Sequence, residues 1–258
     1  MDNQLEAAIM DVADRIASSS RVMALTGAGI SVDSGIPAFR GAQGLWTKYD
    51  PNEYATIDAF VSNPARVWTM LAEMHDLITR ASPNAGHIAL AELERMGRLS
   101  ALVTQNVDSL HQRAGSRNVI EFHGNGERLA CIRCGKKYDR DQIDADVFPP
   151  QCSCDMVLKP DVVFFGELIP PEARVRAETE AADCEICLAI GTFAYVYPAA
   201  DIPRIAKRNG AFVAEINLEH TDLTNRISDC FLQGSSTEIL PAIVRQVKGK
   251  LACDRPVS

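Results

Sequence analysis

The chain has 258 residues, 47% of them hydrophobic, and its 26 Lys and Arg against 34 Asp and Glu leave a net charge of -8. That length buries a sizeable core and suits one medium domain carrying a smaller insertion, or two modest domains. The acidic balance, with no cluster of basic residues, argues against a nucleic-acid partner, and neither an apolar run near the roughly 18 to 20 residues of a membrane span nor a signal peptide is present, so a cytoplasmic location without a membrane partner is expected.

Leu5, Ile9, Val12 and Ile16 recur at helical spacing, which predicts an amphipathic first helix leading into an apolar strand over 22–25. Gly27-Ala28-Gly29 follows and suits a tight turn that brings backbone N–H groups close to a pyrophosphate. The full G-x-G-x-x-G fingerprint would need glycine where Val32 stands, and Gly35, Pro37 and Gly41 interrupt any long helix. Asn63-Pro64 is a good cap and first-turn pair for a helix over 64–80, Pro83-Asn84 ends that stretch, and 87–96 reads as another helix.

From there short apolar strands recur at 101–103, 119–122, 162–165, 186–190, 211–216 and 230–232. They run in order into Thr104-Gln105-Asn106-Val107-Asp108, His123-Gly124, Gly166-Glu167, Gly191-Thr192, Asn217-Leu218-Glu219 and Gly234-Ser235-Ser236. In open parallel α/β sheets ligands sit beyond the carboxyl ends of the strands, so these segments and Gly27 to Arg40 are expected to converge on one crevice. The alternating charges around 172–180 read as a solvated helix face, and the tail after Lys250 as loose.

Eight cysteines are unevenly spread, four of them as Cys131-x-x-Cys134 and Cys152-x-Cys154. Two thiolate knuckles at such spacing suit tetrahedral Zn2+, and four sulfurs leave no position for a catalytic water, so a structural zinc is expected. Cys184 and Cys187 begin an apolar strand and read as core residues. His75, His87, His111 and His220 fall in helical or loop contexts without evident partners and read as structural or solvated, whereas His123, at a strand end, is the candidate base among the convergent loops.

With Gly27-Ala28-Gly29-Ile30-Ser31, Gly35-Ile36-Pro37-x-Phe39-Arg40-Gly41, Thr104-Gln105-Asn106-Val107-Asp108, His123-Gly124, the cysteine knuckles, Lys159 to Glu167 and Asn217-Leu218-Glu219 in this order, the chain resembles the sirtuins, NAD-dependent protein lysine deacylases, over about residues 20 to 245. The resemblance implies an α/β fold: a Rossmann-like parallel sheet (1–40, 84–125 and 162–258) with a smaller inserted domain made of a helical module (41–83) and a zinc ribbon (126–161). It implies NAD as a co-substrate cleaved at its nicotinamide–ribose bond, and acylated lysine in proteins or peptides as the partner, giving nicotinamide, free lysine and O-acyl-ADP-ribose.

By similarity, Phe39 would shield the reactive ribose carbon from water and Arg40 would hold phosphate and ribose groups. His123 would be the base that activates a ribose hydroxyl, with Asn106 orienting the ribose and Val107 and Asp108 holding the nicotinamide carboxamide; Asp108 also suits the cap of a helix at Ser109-Leu110-His111. Gly27, Ala28, Gly29, Ser31, Gln105, Gly191, Thr192, Asn217, Leu218, Glu219 and Ser236 complete the implied NAD contacts. The substrate would lie as an added strand between Val163-Phe164-Phe165-Gly166-Glu167 and Tyr195-Val196. Where the family commonly has Gly-Thr-Ser or Gly-Ser-Ser, this chain has Gly191-Thr192-Phe193, a ring expected to replace a polar contact to NAD.

Residues 63–68 resemble the branch that removes malonyl and succinyl groups, but Leu71 and Met74 stand where that branch has the Tyr-x-x-Arg pair that binds the acyl carboxylate. With no cation expected there, deacetylation and tolerance of longer apolar acyl chains are expected. The rival readings are a protein ADP-ribosyltransferase and a non-catalytic NAD sensor; intact His123 and Asn106 favour deacylation.

Overall fold

Alternating helical and extended patterns in the sequence become an α/β structure in the computed structural model, which describes residues 3–41, 44–143 and 147–253. The chain runs α1 (Asn3–Ser18), β1 (Val22–Thr26), a 3-10 turn (Ala28–Ser34), α2 (Pro51–Tyr54), α3 (Ile57–Ser62), α4 (Pro64–Arg80), α5 (Ala85–Arg95), β2 (Ala101–Thr104), α6 (Leu110–Arg113), β3 (Val119–Glu121) and β4 (Gly124–Cys131). It continues through β5 (Lys137–Asp139), β6 (Leu158–Val162), α7 (Pro171–Asp183), β7 (Ile186–Ile190), α8 (Asp201–Arg208), β8 (Phe212–Asn217), β9 (Cys230–Gln233) and α9 (Ser236–Cys253).

Six strands form a parallel sheet in the order β3-β2-β1-β7-β8-β9. β1 and β7 are buried along their whole length, as strands covered on both faces must be. One face packs on α1, α5 and α9 through Ile9, Val12, Ile16, Leu90, Leu93 and Ile243; the other packs on α7 and α8 through Ala177, Ala181, Ile202 and Ala206. The chain winds outward from β1 to β3 and then returns to β7 beside β1, so the topological switch point lies between the ends of β1 and β7.

The caps explain why α4 and α5 begin where they do. Asn63 Oδ1 accepts from the Arg66 N–H, and Asn84 Oδ1 accepts from the Gly86 and His87 N–H groups. Asn84 therefore opens α5 two residues before the expected start rather than merely closing α4. Only Ala177 and Ala181 of α7 are buried, which leaves the charged residues of 172–180 as the solvated face expected. α9 extends through Cys253, past the expected loose start after Lys250, and the rest of that tail lies outside the described residues.

One expected strand is misplaced. The apolar run 162–165 does not join the parallel sheet: β6 ends at Val162 and pairs antiparallel with β4 in a separate three-stranded sheet, β5-β4-β6. Phe165 makes only an isolated bridge to Thr56. A four-residue apolar run cannot tell a doubly covered strand from a segment packed on another unit. Here Phe164 is buried against Phe60 of the helical module, with ring centroids 5.8 Å apart. β4 went unpredicted because its start, Gly-Asn-Gly-Glu-Arg, is polar; its Leu129 and Cys131 share a core with Trp68, Leu71, Leu158 and Phe164. No helix among the described residues is long and apolar enough to cross a membrane.

Candidate active site

At the switch point the backbones of two turns meet. Gly27 N–H donates to Ile190 O at 3.0 Å and Gly29 N–H to Gly191 O at 2.9 Å. A Cβ on Gly27 would stand 2.8 Å from Gly191 O, and one on Gly29 would stand 2.7 Å from Gly191 Cα. The glycines are thus needed for the turns to pack on each other, before any ligand is considered. Phe39 lies beyond this turn with its ring 5.3 Å from that of Trp46, and Arg40 is exposed.

A cavity of about 430 Å³ opens here, within the size range of small-molecule sites. Its wall takes Gly27, Ala28, Gly29, Phe39 and Arg40 from the β1 side, Gln105, Asn106, Val107 and His123 from the ends of β2 and β3, and Gly191, Thr192 and Asn217 from the ends of β7 and β8. Val163, Phe164, Phe165, Gly166, Glu167, Tyr195, Val196, Leu71 and Met74 line it too. Ser31, Asp108, Leu218, Glu219 and Ser236 do not line this cavity. Ser31 and Asp108 stand behind it instead.

Behind the cavity wall is a buried polar network. Ser31 Oγ donates to Asp108 Oδ2 at 2.7 Å, and Asn106 Nδ2 donates to Ser31 Oγ at 3.1 Å and Gly27 O at 3.2 Å. Asp108 Oδ1 accepts from the N–H of Leu110, the first residue of α6, at 3.0 Å, although Ser109 and not Asp108 holds the cap position of that helix; burial raises the Asp108 pKa. His87 and His111 are not partnerless, as the sequence suggested. The His111 ring lies 2.9 Å from Thr26 Oγ1, His87 accepts from the Asn84 N–H, and their rings are 4.8 Å apart. Burial lowers His87 to about 4 and holds His111 well below its usual value. The Thr26–His111 and His87–His111 contacts come from long-range packing, which helical context could not reveal, whereas the Asn84–His87 contact is a local capping box three residues long.

His123 Nδ1 lies 3.1 Å from the Gln105 carbonyl oxygen. A carbonyl only accepts, so Nδ1 carries the proton and Nε2 keeps its lone pair. Burial lowers the His123 pKa, outweighing that hydrogen bond, which leaves a neutral imidazole at pH 7. The chemistry this permits is abstraction of a proton from a group bound in the cavity.

Glu167 is held from within. Its Oε2 accepts from Lys159 Nζ at 2.9 Å and from Phe164 N–H at 2.8 Å, and the nearly buried Lys159 also donates to the Val162 carbonyl. This clamp shapes the turn at 163–167, and the carboxylate is spent on it. The sequence reading named Lys159 only as the start of the 159–167 motif and gave it no role, although a lysine eight residues before a glutamate in an apolar run was a visible signal. Glu215 was also missed: buried in β8, it accepts from the hydroxyls of Thr221, Thr224 and Ser228, tying down the loop after Asn217.

Thr192 supplies the polar contacts at the β7 turn, accepting from Gln105 Nε2 at 2.9 Å through its hydroxyl and from Asn217 Nδ2 at 3.2 Å through its carbonyl. The Phe193 ring instead lies parallel to Tyr195, with centroids 6.1 Å apart.

The α4 side of the cavity corrects one expectation. Leu71, Met74 and Ile78 present an apolar face, but His75 and Arg140 line the cavity as well. Arg140 comes from the segment after β5, its Nε and Nη2 donating to Gly126 O at 3.2 and 3.1 Å and its guanidinium 5.9 Å from the Trp68 ring centre. Reading α4 alone gave no cation; the fold supplies one from elsewhere.

Cys131, Cys134, Cys152 and Cys154 bring their sulfurs within 4.8 Å of one another, with Cys131–Cys154 and Cys134–Cys152 both at 3.6 Å. Tetrahedral zinc with bonds of about 2.3 Å requires sulfurs about 3.8 Å apart, so the donor set fits. Cys184 and Cys187 are buried in the sheet core as expected.

The sequence profile of the Sir2 family matches residues 27–198. A protein of Pyrobaculum aerophilum named NAD-dependent protein deacylase 2 is 49% identical over 243 residues, covering 94% of this chain and 97% of that protein. A solved structure of a mutant Sir2 homologue with ADP ribose is 40% identical, with a TM-score of 0.92 over 99% of this chain and 100% of the other. One described as Sir2 with a p53 peptide and NAD+ is 36% identical, with a TM-score of 0.83 over 93% and 98% of the two chains.

Proposed function

The chain belongs to the Sir2 family, and from that premise we propose how its residues divide the work of an NAD-dependent protein-lysine deacylase. The enzyme releases free lysine, nicotinamide and O-acyl-ADP-ribose. Bound NAD supplies the ribose carbon to which the acyl oxygen attaches as nicotinamide leaves, and the hydroxyl that ends up acylated.

The observation that carries the residue assignment is His123: it lines the same cavity as the glycine turn, and its Nδ1 is committed to Gln105 O. Its Nε2 takes the proton from the ribose hydroxyl. Asn106, held by Ser31 and Gly27, orients the ribose, and Val107 walls the nicotinamide. Asp108 and Ser31 act from behind by fixing Asn106. Gly27, Ala28 and Gly29 receive the phosphates, Arg40 adds charge, and Phe39, packed on Trp46, excludes water. Gly191, Thr192, Asn217, Leu218, Glu219 and Ser236 serve the adenosine side.

An acyl-lysine peptide lies between 163–167 and Tyr195-Val196, its acyl group toward Leu71 and Met74. Cys131, Cys134, Cys152 and Cys154 hold a structural zinc that keeps β4 and β6 in register. The division into a sheet domain and a small domain is supported by the separate core of Leu45, Phe60, Trp68 and Leu158. The enzyme works in the cytoplasm, and the net charge of -8 supports basic protein segments as its partners.

The test is mass spectrometry of an acetyl-lysine peptide incubated with NAD. O-acetyl-ADP-ribose and free lysine are expected; a peptide gaining ADP-ribose without losing acetyl would overturn deacylation in favour of transfer to protein.

A further inference from the structure

Large apolar side chains stand in water at the mouth of the cavity. Leu168 is 91% exposed, Tyr197 61%, Tyr195 52% and Phe165 41%, and all four line the opening. Exposed apolar residues scattered singly need no explanation, but a group on both lips of one cleft does. Leu168 and Phe165 belong to one lip, and Tyr195 and Tyr197 to the other. Among the described residues nothing covers Leu168.

We propose that these side chains select substrates carrying a large apolar residue, aromatic or branched, immediately beside the acyl-lysine. The inference rests on the reading that the peptide lies extended between the two lips. In an extended chain successive side chains point to opposite faces. The acyl-lysine points into the cavity, so its two immediate neighbours point outward, and residues two positions away point inward again. Exposure divides the lips in the same sense: Phe164 is buried and Val196 half-buried, while Leu168, Tyr195 and Tyr197 are exposed.

Side chains that share a face across adjacent strands form the contacts that stabilise pairing. The outward neighbours of the acyl-lysine thus meet Leu168 on one side and the tyrosines on the other, and an apolar neighbour removes these surfaces from water. A glycine or serine there leaves them wet.

The experiment uses acetyl-lysine peptides that differ only in having Gly, Leu or Tyr next to the acetyl-lysine, and a matching series with the change two residues away. Wild-type kcat/KM should rise roughly tenfold from Gly to Leu or Tyr at the adjacent positions, a size typical of filling an apolar contact, and stay nearly flat two residues away. In Leu168→Ser and Tyr197→Ser the adjacent ratio should fall toward one; taking the ratio within each variant cancels any general loss of activity. A flat adjacent ratio in wild type, or one that survives both substitutions, overturns the proposal. N-methylating the peptide amides on either side of the acetyl-lysine separates this failure from failure of the underlying reading, since an unchanged rate would mean that the substrate does not add as a strand at all.

Discussion

At the scale of single residues the imidazoles carry the pH behaviour. His123 acts as a base only when neutral, and burial depresses its pKa, so kcat/KM should be level through neutrality and fall in acid with a midpoint below about 6.5, the usual value. His123→Ala should keep the fold and NAD binding, lose at least about 10²-fold in rate and lose that acid limb; a variant working at near wild-type rate would assign the base elsewhere. His87 makes a separate prediction about stability. The unfolded chain takes up its proton below about 6.5, whereas the folded one resists to about 4, so between these values the unfolded state binds more protons and stability falls as pH falls. His87 alone contributes about 3 kcal/mol over that window at 1.36 kcal/mol per unit of pKa, and His111 shifts in the same direction. Urea unfolding at pH 7 and pH 4.5 measures this, and equal midpoints would contradict it.

At the scale of elements the cysteine ribbon and the substrate segment are one piece of structure. β6 carries Lys159, which clamps Glu167, and β6 is held to β4, which begins beside His123 and ends at Cys131. Elemental analysis should find one zinc per chain, and Cys131→Ser should lose it and destabilise the protein, because such binding contributes folding energy directly. The same variant should raise KM for peptide more than for NAD, since the 163–167 turn hangs from β6 and the glycine turn does not; zinc-free protein of undiminished stability would remove the claim. What the sequence revealed divides along these lines. Strands covered on both faces, such as Ile186–Ile190, and capped helices, such as Asn63 with Pro64–Arg80, carry local signals of apolar continuity and side-chain caps. β4 and the true setting of 162–165 depend on pairing between distant segments, and neither has a local signature. In the site the glycines, His123 and the cysteines stood out by type and spacing. Arg140 and the pairing of His87 with His111 acquire their roles only when separate segments meet.

At the scale of the whole molecule, acyl selection belongs to no single element. The pocket is assembled from α4 with Leu71, Met74 and Ile78, from the end of β2 with Val107, and from the segment after β5 with Arg140. The apolar α4 face gives a carboxylate no partner, and leaving one unpaired costs several kcal/mol, whereas methionine side chains adapt to hydrocarbon of varied length. Arg140 changes the question from whether a cation is present to whether it is free to turn. Two of its N–H groups are engaged by Gly126 O and its plane lies near Trp68, so we expect it to remain a wall rather than an acyl partner. On one peptide bearing acetyl, butyryl, myristoyl or succinyl lysine, kcat/KM should then be sustained across the apolar series and fall for succinyl. Arg140→Leu should leave the succinyl-to-acetyl ratio unchanged within about twofold, because removing a wall changes size and not charge recognition. Succinyl as the best substrate, with that preference lost in Arg140→Leu, would show that the guanidinium turns inward and binds the carboxylate.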